Sequence, residues 1–156
     1  MPRRYSPQKR EVQPDPKYKS VDVSRFVNQL MRDGKKSTAR RVMYDALALV
    51  EERMKRDPLE VFQQAMQNAT PRIEVRPRRV GGATYQVPIE VDAFRARSLA
   101  SRWLIAAADA RGPRRMAEKL AQEFMDASQG QGAAVKRKDE MHRMADANRT
   151  FAHYRY

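Results

Sequence analysis

The chain has 156 residues, which is enough for one domain with a buried core. It contains 32 Lys and Arg residues against 19 Asp and Glu residues, so its formal net charge is +13. A surplus of this size opposes compaction through self-repulsion, and it therefore indicates a polyanionic partner such as nucleic acid or an anionic membrane. The absence of cysteine excludes disulfides, zinc ribbons and thiol nucleophiles.

Nucleic acid is the favoured partner, because no run of apolar residues is long enough to span a membrane and none follows Met1. The two histidines, His142 and His153, have no Cys or His partner at metal-site spacing. The sequence thus predicts a cytoplasmic protein with no membrane contact, no structural metal and no cofactor.

Residues 1–19 are predicted to form an extended basic arm. Four prolines interrupt this stretch, remove backbone donors and disfavour helix, so we expect it to stay disordered until a partner binds. Its first cations are Arg3, Arg4, Lys9 and Arg10.

Three helices are predicted to follow the arm. The first has an apolar stripe at helical spacing, and Gly34 is placed to end it, which puts Lys35 and Lys36 on a loop at its negative end. The second runs from about Ser37 to Lys55. The third begins at Asp57-Pro58, with Asp57 as cap and Glu60 completing a capping box, and ends at Thr70-Pro71. The stripe of the first helix consists of Val23, Phe26, Val27, Leu30 and Met31.

Apolar residues then alternate with polar ones over about residues 72–91, which predicts a β-hairpin. Gly81-Gly82 supply the positive φ angles of a tight turn. Pro77 and Pro88 exclude a central position in a large sheet, so we expect a free two-stranded ribbon.

Helical spacing returns after the ribbon and predicts three more helices. Asp92 is placed to cap the fourth, whose outer face carries Arg95 and Arg102. The fifth lies between "RGPRR" and "QGQG", and the sixth starts near Ala133 with Met141, Met144, Ala145 and Asn148 on one side. The tail "FAHYRY" has no readable period.

Taken together, the pattern predicts a mainly α protein with about six helices in a single bundle-like domain over residues 20–156. One antiparallel ribbon protrudes between the third and fourth helices. The C-terminal helix and tail occupy about residues 133–156.

The basic residues concentrate in segments that have little apolar area to bury. These are the arm, the "GKK" loop, the ribbon, "RGPRR" and the stretch before the last helix. Few have an acidic partner three or four places away, so unpaired charge predicts phosphate binding. Each single cation also fits a solvated surface, and the ribbon also fits an edge blunted against aggregation. Trp103, on an apolar stripe, is interpreted as core; Phe94 is a possible stacking platform.

Catalysis has little support. No glycine-rich phosphate loop precedes a helix, and Asp139 with His142 is a pair expected to face solvent. We therefore predict that the protein is not an enzyme.

Four stretches together carry a family resemblance: "PDPKY", "FVNQLMRDGKKSTAR", "RRVGGATYQVPIEV" and "AHYRY". In this order they resemble bacterial small-subunit ribosomal protein seven over essentially the whole chain. The resemblance implies a primary binder of the 3′ major domain of small-subunit ribosomal RNA that nucleates assembly of the head. It also implies a position near messenger RNA and transfer RNA at the exit site, with ribosomal proteins nine and eleven as neighbours.

Carried onto this chain, the resemblance implies two sets of contact residues. The ribosomal RNA set is Arg3, Arg4, Lys9, Arg10, Lys35, Lys36, Arg72, Arg76, Arg78, Arg79, Arg95, Arg102, Arg111, Arg114 and Arg115. The exit-site set is Arg78, Arg79, Gly81, Gly82, Lys136, Lys138, Arg143, Arg149 and Tyr154.

Two other classes remain open on the residues alone. A basic β-ribbon on a helical body also suits an architectural DNA-binding protein, although such arms act in pairs from a dimer, and we do not expect an obligate homo-oligomer here. An RNA-modifying enzyme would need a cofactor loop that the sequence does not contain.

Overall fold

The computed structural model describes residues 11–112 and 114–154, and these form a mainly helical fold with one two-stranded sheet. The predicted fold class is confirmed. The elements in chain order are α1 Val21–Leu30, α2 Lys36–Met54, α3 Pro58–Ala69, β1 Ile73–Val80, β2 Ala83–Glu90, α4 Ala93–Asp109, α5 Met116–Ser128, α6 Ala133–Ala147 and a C-terminal 3₁₀ helix Arg149–Tyr154.

Side-chain caps begin three of the helices. The Ser20 hydroxyl accepts from the Val23 N–H, the Asp57 carboxylate from the Leu59 N–H, and the Asp92 carboxylate from the Phe94 N–H. Pro58 occupies the first turn of α3, where its missing N–H costs nothing. The predicted caps at Asp57 and Asp92 are confirmed.

The end of α1 differs from the prediction. The helix stops at Leu30, and the Met31 N–H closes its last turn on the Val27 carbonyl. Gly34 lies beyond the helix, in a turn where Asp33 and Gly34 both have positive φ. The prediction that Lys35 and Lys36 lie at the negative end of α1 was wrong, because Lys35 is the cap residue of α2 and Lys36 is its first residue.

The core lies between the helices and is organised around three phenylalanines. Phe26 of α1, Phe62 of α3 and Phe124 of α5 contact one another edge to face, with ring centroids 5.3–5.4 Å apart. All three side chains are fully buried. Trp103 is half-buried and packs against this core, in agreement with its stripe on α4.

The ribbon has the predicted turn. Val80 pairs with Ala83, so Gly81 and Gly82 form a two-residue loop with φ of +57° and +87°. Two successive positive φ angles match the right-handed twist of a hairpin, and glycine adopts them without a Cβ penalty.

The prediction of a free ribbon was wrong at its base. Val87 and Glu74 are buried, β1 packs against α6, and β2 packs against the C-terminal 3₁₀ helix. The tail that showed no period in sequence is therefore a structured element over residues 151–154. The ribbon is most exposed toward its tip, where every residue from Arg76 to Thr84 is exposed.

The predicted side of the sixth helix is only partly buried. Ala145 is buried and Met141 and Asn148 are half-buried, whereas Met144 is 47% exposed. Ala134 and Val135, which were not in the predicted set, are buried as well.

The predicted arm is only partly within the described residues. Residues 1–10, with their four cations, lie outside them. Residues 15–18 form a turn on α2 in place of the predicted extended arm: the buried Asp15 carboxylate accepts from the Tyr44 hydroxyl at 2.8 Å and from the backbone N–H groups of Lys17 and Tyr18. Within the described ranges, no helix is long and apolar enough to cross a membrane.

Candidate nucleic-acid interface

The two ribbon arginines nearest the tip lie on opposite faces of the ribbon. Arg78 pairs across the strands with Tyr85, and Arg79 pairs with Thr84. Since neighbouring residues of a strand alternate between faces, a single flat surface reaches only one of the two arginines.

Arg78 belongs to the face that the tail covers. Its Nη1 donates to the Tyr154 carbonyl oxygen at 2.7 Å, and the Tyr154 ring stacks on Tyr85 with centroids 5.2 Å apart. Phe151 contacts Tyr85 at the same centroid distance. Arg79 remains exposed on the other face.

At the base of the ribbon, three charged side chains meet. The Glu74 side chain is only 4% exposed. The Arg76 Nε–H donates to Glu74 Oε1 at 2.6 Å, and the Arg95 Nε–H donates to Oε2 at 2.8 Å. The interpretation of Arg76 as unpaired charge was wrong, and α4 brings Arg95 to the same carboxylate from 21 residues away.

The C-terminal residues of the predicted exit-site set are brought to the ribbon. α6 packs against β1, and its His142 Nε2 accepts the Arg72 backbone N–H at 3.0 Å. Along α6, Lys136 and Arg143 are exposed, while Lys138 is half-buried and 3.3 Å from Asp139. Arg149 is exposed at the start of the 3₁₀ helix.

The fourth helix connects the ribbon to the opposite end of the molecule. Arg95 and Arg102 are both exposed and lie seven residues apart, which places them on one helix face. The helix has 17 residues and is therefore about 25 Å long. At its far end Asp109 bonds Arg32 of the α1–α2 turn at 2.9 Å.

That far end carries a second group of cations. Lys35 and Lys36 are exposed at the start of α2, whose cap has no side-chain hydrogen bond and whose first turn has no acidic residue. The helix dipole is positive at this end, so each lysine costs about 0.3–1 kcal/mol unless an anion binds. The positive helix end and both ammonium groups therefore favour an anion.

Arg111, Arg114 and Arg115 flank α5 but differ in environment. Arg111 is bound within the protein: its Nε–H donates to the fully buried Glu123 at 2.9 Å, and its Nη2 binds both Glu123 and Asp126. Burial lowers the pKa of this guanidinium, but the bonds to Glu123 and Asp126 outweigh that effect and raise the pKa. The interpretation of Arg111 as unpaired was wrong, whereas Arg114 and Arg115 are exposed.

Sequence reasoning missed the carboxylates that organise these cations. Glu123 also accepts the Ala134 N–H at 3.0 Å and thereby caps α6 from another helix. The pairing of Glu74 with Arg76 could have been predicted, because residues two apart on a strand share a face and Arg76 follows Glu74 by two. The sequence contains no such indication for Glu123, because its partner Arg111 comes from the end of α4.

The helical body thus carries a protruding ribbon and two groups of exposed cations, which a basic helix face joins. These features define the class of nucleic-acid-binding proteins. Across the part of the chain that the structure describes, no three His, Cys, Asp or Glu side chains are grouped as a metal ion would require. The described contacts of this surface are those of a binding protein.

The chain belongs to the family Ribosomal protein S7p/S5e, which matches residues 2–149. Among similar proteins is the small ribosomal subunit protein uS7 of Hyphomonas neptunium, 59% identical over 156 residues. Proteins of the same name from Xanthobacter autotrophicus and Maricaulis maris are 56% and 54% identical. In all three cases the match covers 100% of both chains.

The protein is accordingly a structural constituent of the small ribosomal subunit, which lies in the cytoplasm of bacteria. Its role in that particle is structural rather than enzymatic. The charge of the chain predicted a nucleic-acid partner, and membership of this family implies that the partner is the RNA of the small subunit.

Proposed function

We propose that the protein binds the 3′ major domain of small-subunit ribosomal RNA and nucleates assembly of the head. Its ribbon and C-terminal elements lie beside messenger RNA and transfer RNA at the exit site, with ribosomal proteins nine and eleven as neighbours. The choice of RNA domain and of protein neighbours follows from the sequence resemblance, and RNA binding itself is supported by the surface described above.

The observation that carries the proposal is the placement of cations at both ends of α4. The Arg76–Arg95 pair lies at the ribbon end of α4, and Arg102 lies further along this helix, which is about 25 Å long. Lys35 and Lys36 follow the turn whose Arg32 bonds Asp109 at the far end of α4. A surface of this length reaches phosphates from more than one RNA helix. That property suits a folded junction recognised by shape and phosphate position rather than by base sequence.

The test is a competition binding assay with the purified protein at moderate salt. One competitor is a head-domain fragment of the ribosomal RNA, and the other is duplex DNA with the same number of phosphates. We expect the RNA to be preferred by several orders of magnitude. Equal binding would reduce the affinity to phosphate charge alone and favour the architectural DNA-binding alternative.

Single substitutions at the ribbon tip refine this test. Arg79→Ala should make the slope of log K against log salt shallower by about one unit, because Arg79 is exposed on the uncovered face. Arg78→Ala should change the slope less, since its guanidinium is held by the Tyr154 carbonyl. Equal changes for both would mean that the tail leaves the ribbon when RNA binds.

A further inference from the structure

The base of the ribbon contains a charge arrangement that a simple ion pair does not explain. One buried carboxylate, Glu74, is enough to neutralise one guanidinium, yet it binds both Arg76 and Arg95. The three side chains together carry a charge of +1. The two arginine side chains remain about half exposed, at 55% and 45%, although the carboxylate between them is buried.

The hydrogen bonds leave the outer ends of both arginines available. Each arginine donates to Glu74 through Nε, and the two Nε atoms lie 2.6 and 3.0 Å from the same oxygen, Oε1. The Nη groups, which form the fork that binds phosphate oxygens, take no part in these bonds. Two guanidinium forks are thus held side by side at the surface.

Such an arrangement favours an anion for two reasons. The two guanidinium groups carry like charges that repel each other, and a phosphate bound to both relieves that repulsion. The bonds to Glu74 also restrict side chains that would otherwise lose rotamer freedom on binding, so less entropy is lost when the phosphate arrives.

We propose that Glu74 is a positioning residue that presents Arg76 and Arg95 as one binding site for a backbone phosphate of RNA. The proposal rests on the proposed RNA-binding function and deepens it. Because Arg76 belongs to β1 and Arg95 to α4, a phosphate bound by both also fixes the ribbon relative to the helical body.

A purely structural role for Glu74 predicts the opposite effect on binding. In that case the carboxylate is a negative charge beside an anionic ligand, and its removal strengthens RNA binding. Glu74→Gln raises the net charge by one and keeps an acceptor of similar shape. The sign of its effect therefore separates the two roles.

The experiment measures binding of the head-domain RNA fragment to wild type, Glu74→Gln and the control Glu52→Gln, which removes the same charge from an exposed position on α2. We expect Glu74→Gln to bind roughly tenfold more weakly, as for the loss of a charge-assisted contact, and the salt slope to become shallower by about one unit. The control should bind equally or slightly more tightly. Binding by Glu74→Gln at least as tight as the control would overturn the proposal.

A double-mutant cycle supplies the second test and does not require Glu74 to be changed. If one phosphate is shared, Arg76→Ala combined with Arg95→Ala should cost little more than the larger single substitution. Additive costs would mean two separate contacts and would contradict the proposal. Arg95→Lys keeps the charge but loses the planar fork, and we expect it to bind several-fold more weakly than wild type.

Thermal melting of every variant keeps folding separate from binding, and binding is compared at a temperature where each variant is folded. If the wild-type protein does not prefer the RNA fragment over duplex DNA, the proposed function itself is contradicted. If the wild type prefers the fragment and Glu74→Gln binds it with unchanged affinity, only the role of Glu74 is contradicted.

Discussion

In the helical body, Phe26, Phe62 and Phe124 contact one another edge to face and exclude solvent completely. In the ribbon, the main aromatic contacts are those of Tyr85 with Phe151 and Tyr154, and all three side chains are half-buried. The body is held by burial of apolar area, whereas the ribbon is held at its base by Val87, Glu74 and packing against α6, and further out by these partly exposed contacts. An exposed cation of the ribbon tip that has no buried carboxylate as partner, such as Arg79, can therefore change with little effect on folding, which is the property an RNA-binding surface needs.

The largest expected effect comes from breaking the aromatic centre of the body. Phe124→Ala should lower the free energy of unfolding by about 3–5 kcal/mol, because it removes buried area and leaves a cavity between two other rings. The change in denaturation midpoint measures it. The matched control is Val80→Ala at the ribbon tip, which should change stability by less than about 0.5 kcal/mol.

A similar loss for Val80→Ala would show that the ribbon folds as part of the core. In that case substitutions in the ribbon would change folding as well as RNA binding.

The next effect tests whether a cation of the predicted RNA set belongs to the body. Arg111→Ala should cost about 2–4 kcal/mol of unfolding free energy, because it leaves Glu123 buried without its charge partner and weakens the start of α6. Arg114→Ala, three residues along and exposed, should leave stability within about 0.5 kcal/mol of wild type. Chemical denaturation of both variants provides the comparison.

Equal stability of the two variants would show that Glu123 is satisfied without Arg111. It would also return Arg111 to the group of freely exposed cations.

A smaller effect is expected where the N-terminal turn docks on α2. Burial, and then the hydrogen bond to Asp15, raise the pKa of Tyr44 above its ordinary value of 10.0. A raised pKa in the folded state means that this contribution to stability is present in full below pH 10 and is lost as pH rises through the folded-state value. Ultraviolet titration should show a late-ionising tyrosine, and Tyr44→Phe should remove it.

Asp15→Asn supplies the control for that assignment. It removes the charged acceptor of the Tyr44 hydroxyl and should lower the pKa of Tyr44 toward its ordinary value, with a loss of about 1–2 kcal/mol in stability. A late-ionising tyrosine that persists in both variants would have to be another residue.

The smallest global effect is expected at the tail. Tyr154→Ala removes the ring that stacks on Tyr85, a contact worth about 0.5–1.5 kcal/mol, while the Tyr154 carbonyl that binds Arg78 is retained. Hydrogen exchange at the ribbon amides should become faster, and the denaturation midpoint of the body should stay close to that of wild type. Unchanged exchange in the ribbon would show that Phe151 and α6 are sufficient to hold it.

Much of the fold was predictable because its signals are local. The stripe with Val23, Phe26 and Val27 defines one helix face, and the Asp57 and Asp92 caps define where two helices begin. The interface was predictable mainly as a list of cations. Their environments were not, since Arg111 and Arg114 belong to the same short basic stretch, yet Arg111 binds the buried Glu123 and Arg114 is exposed.

Two predictions were wrong for different reasons. The first helix was extended to Gly34 because glycine commonly ends helices, but the helix ends at Leu30 and Gly34 lies in the following turn. Residues 15–18 were predicted as extended because of the prolines in the arm, yet the distant Tyr44 binds Asp15 in this segment. In the second case a contact between segments overrode a local preference.

The sequence by itself determined the class of fold, the ribbon with its Gly81-Gly82 turn, the excess of positive charge and the family, since periodicity, backbone conformation and composition act over a few residues. Only the tertiary structure decided which cations are paired, that the tail covers one face of the ribbon, and that Glu74 joins β1 to α4. Those outcomes depend on groups far apart in the chain meeting at a buried position, where an unpaired charge is too costly to leave.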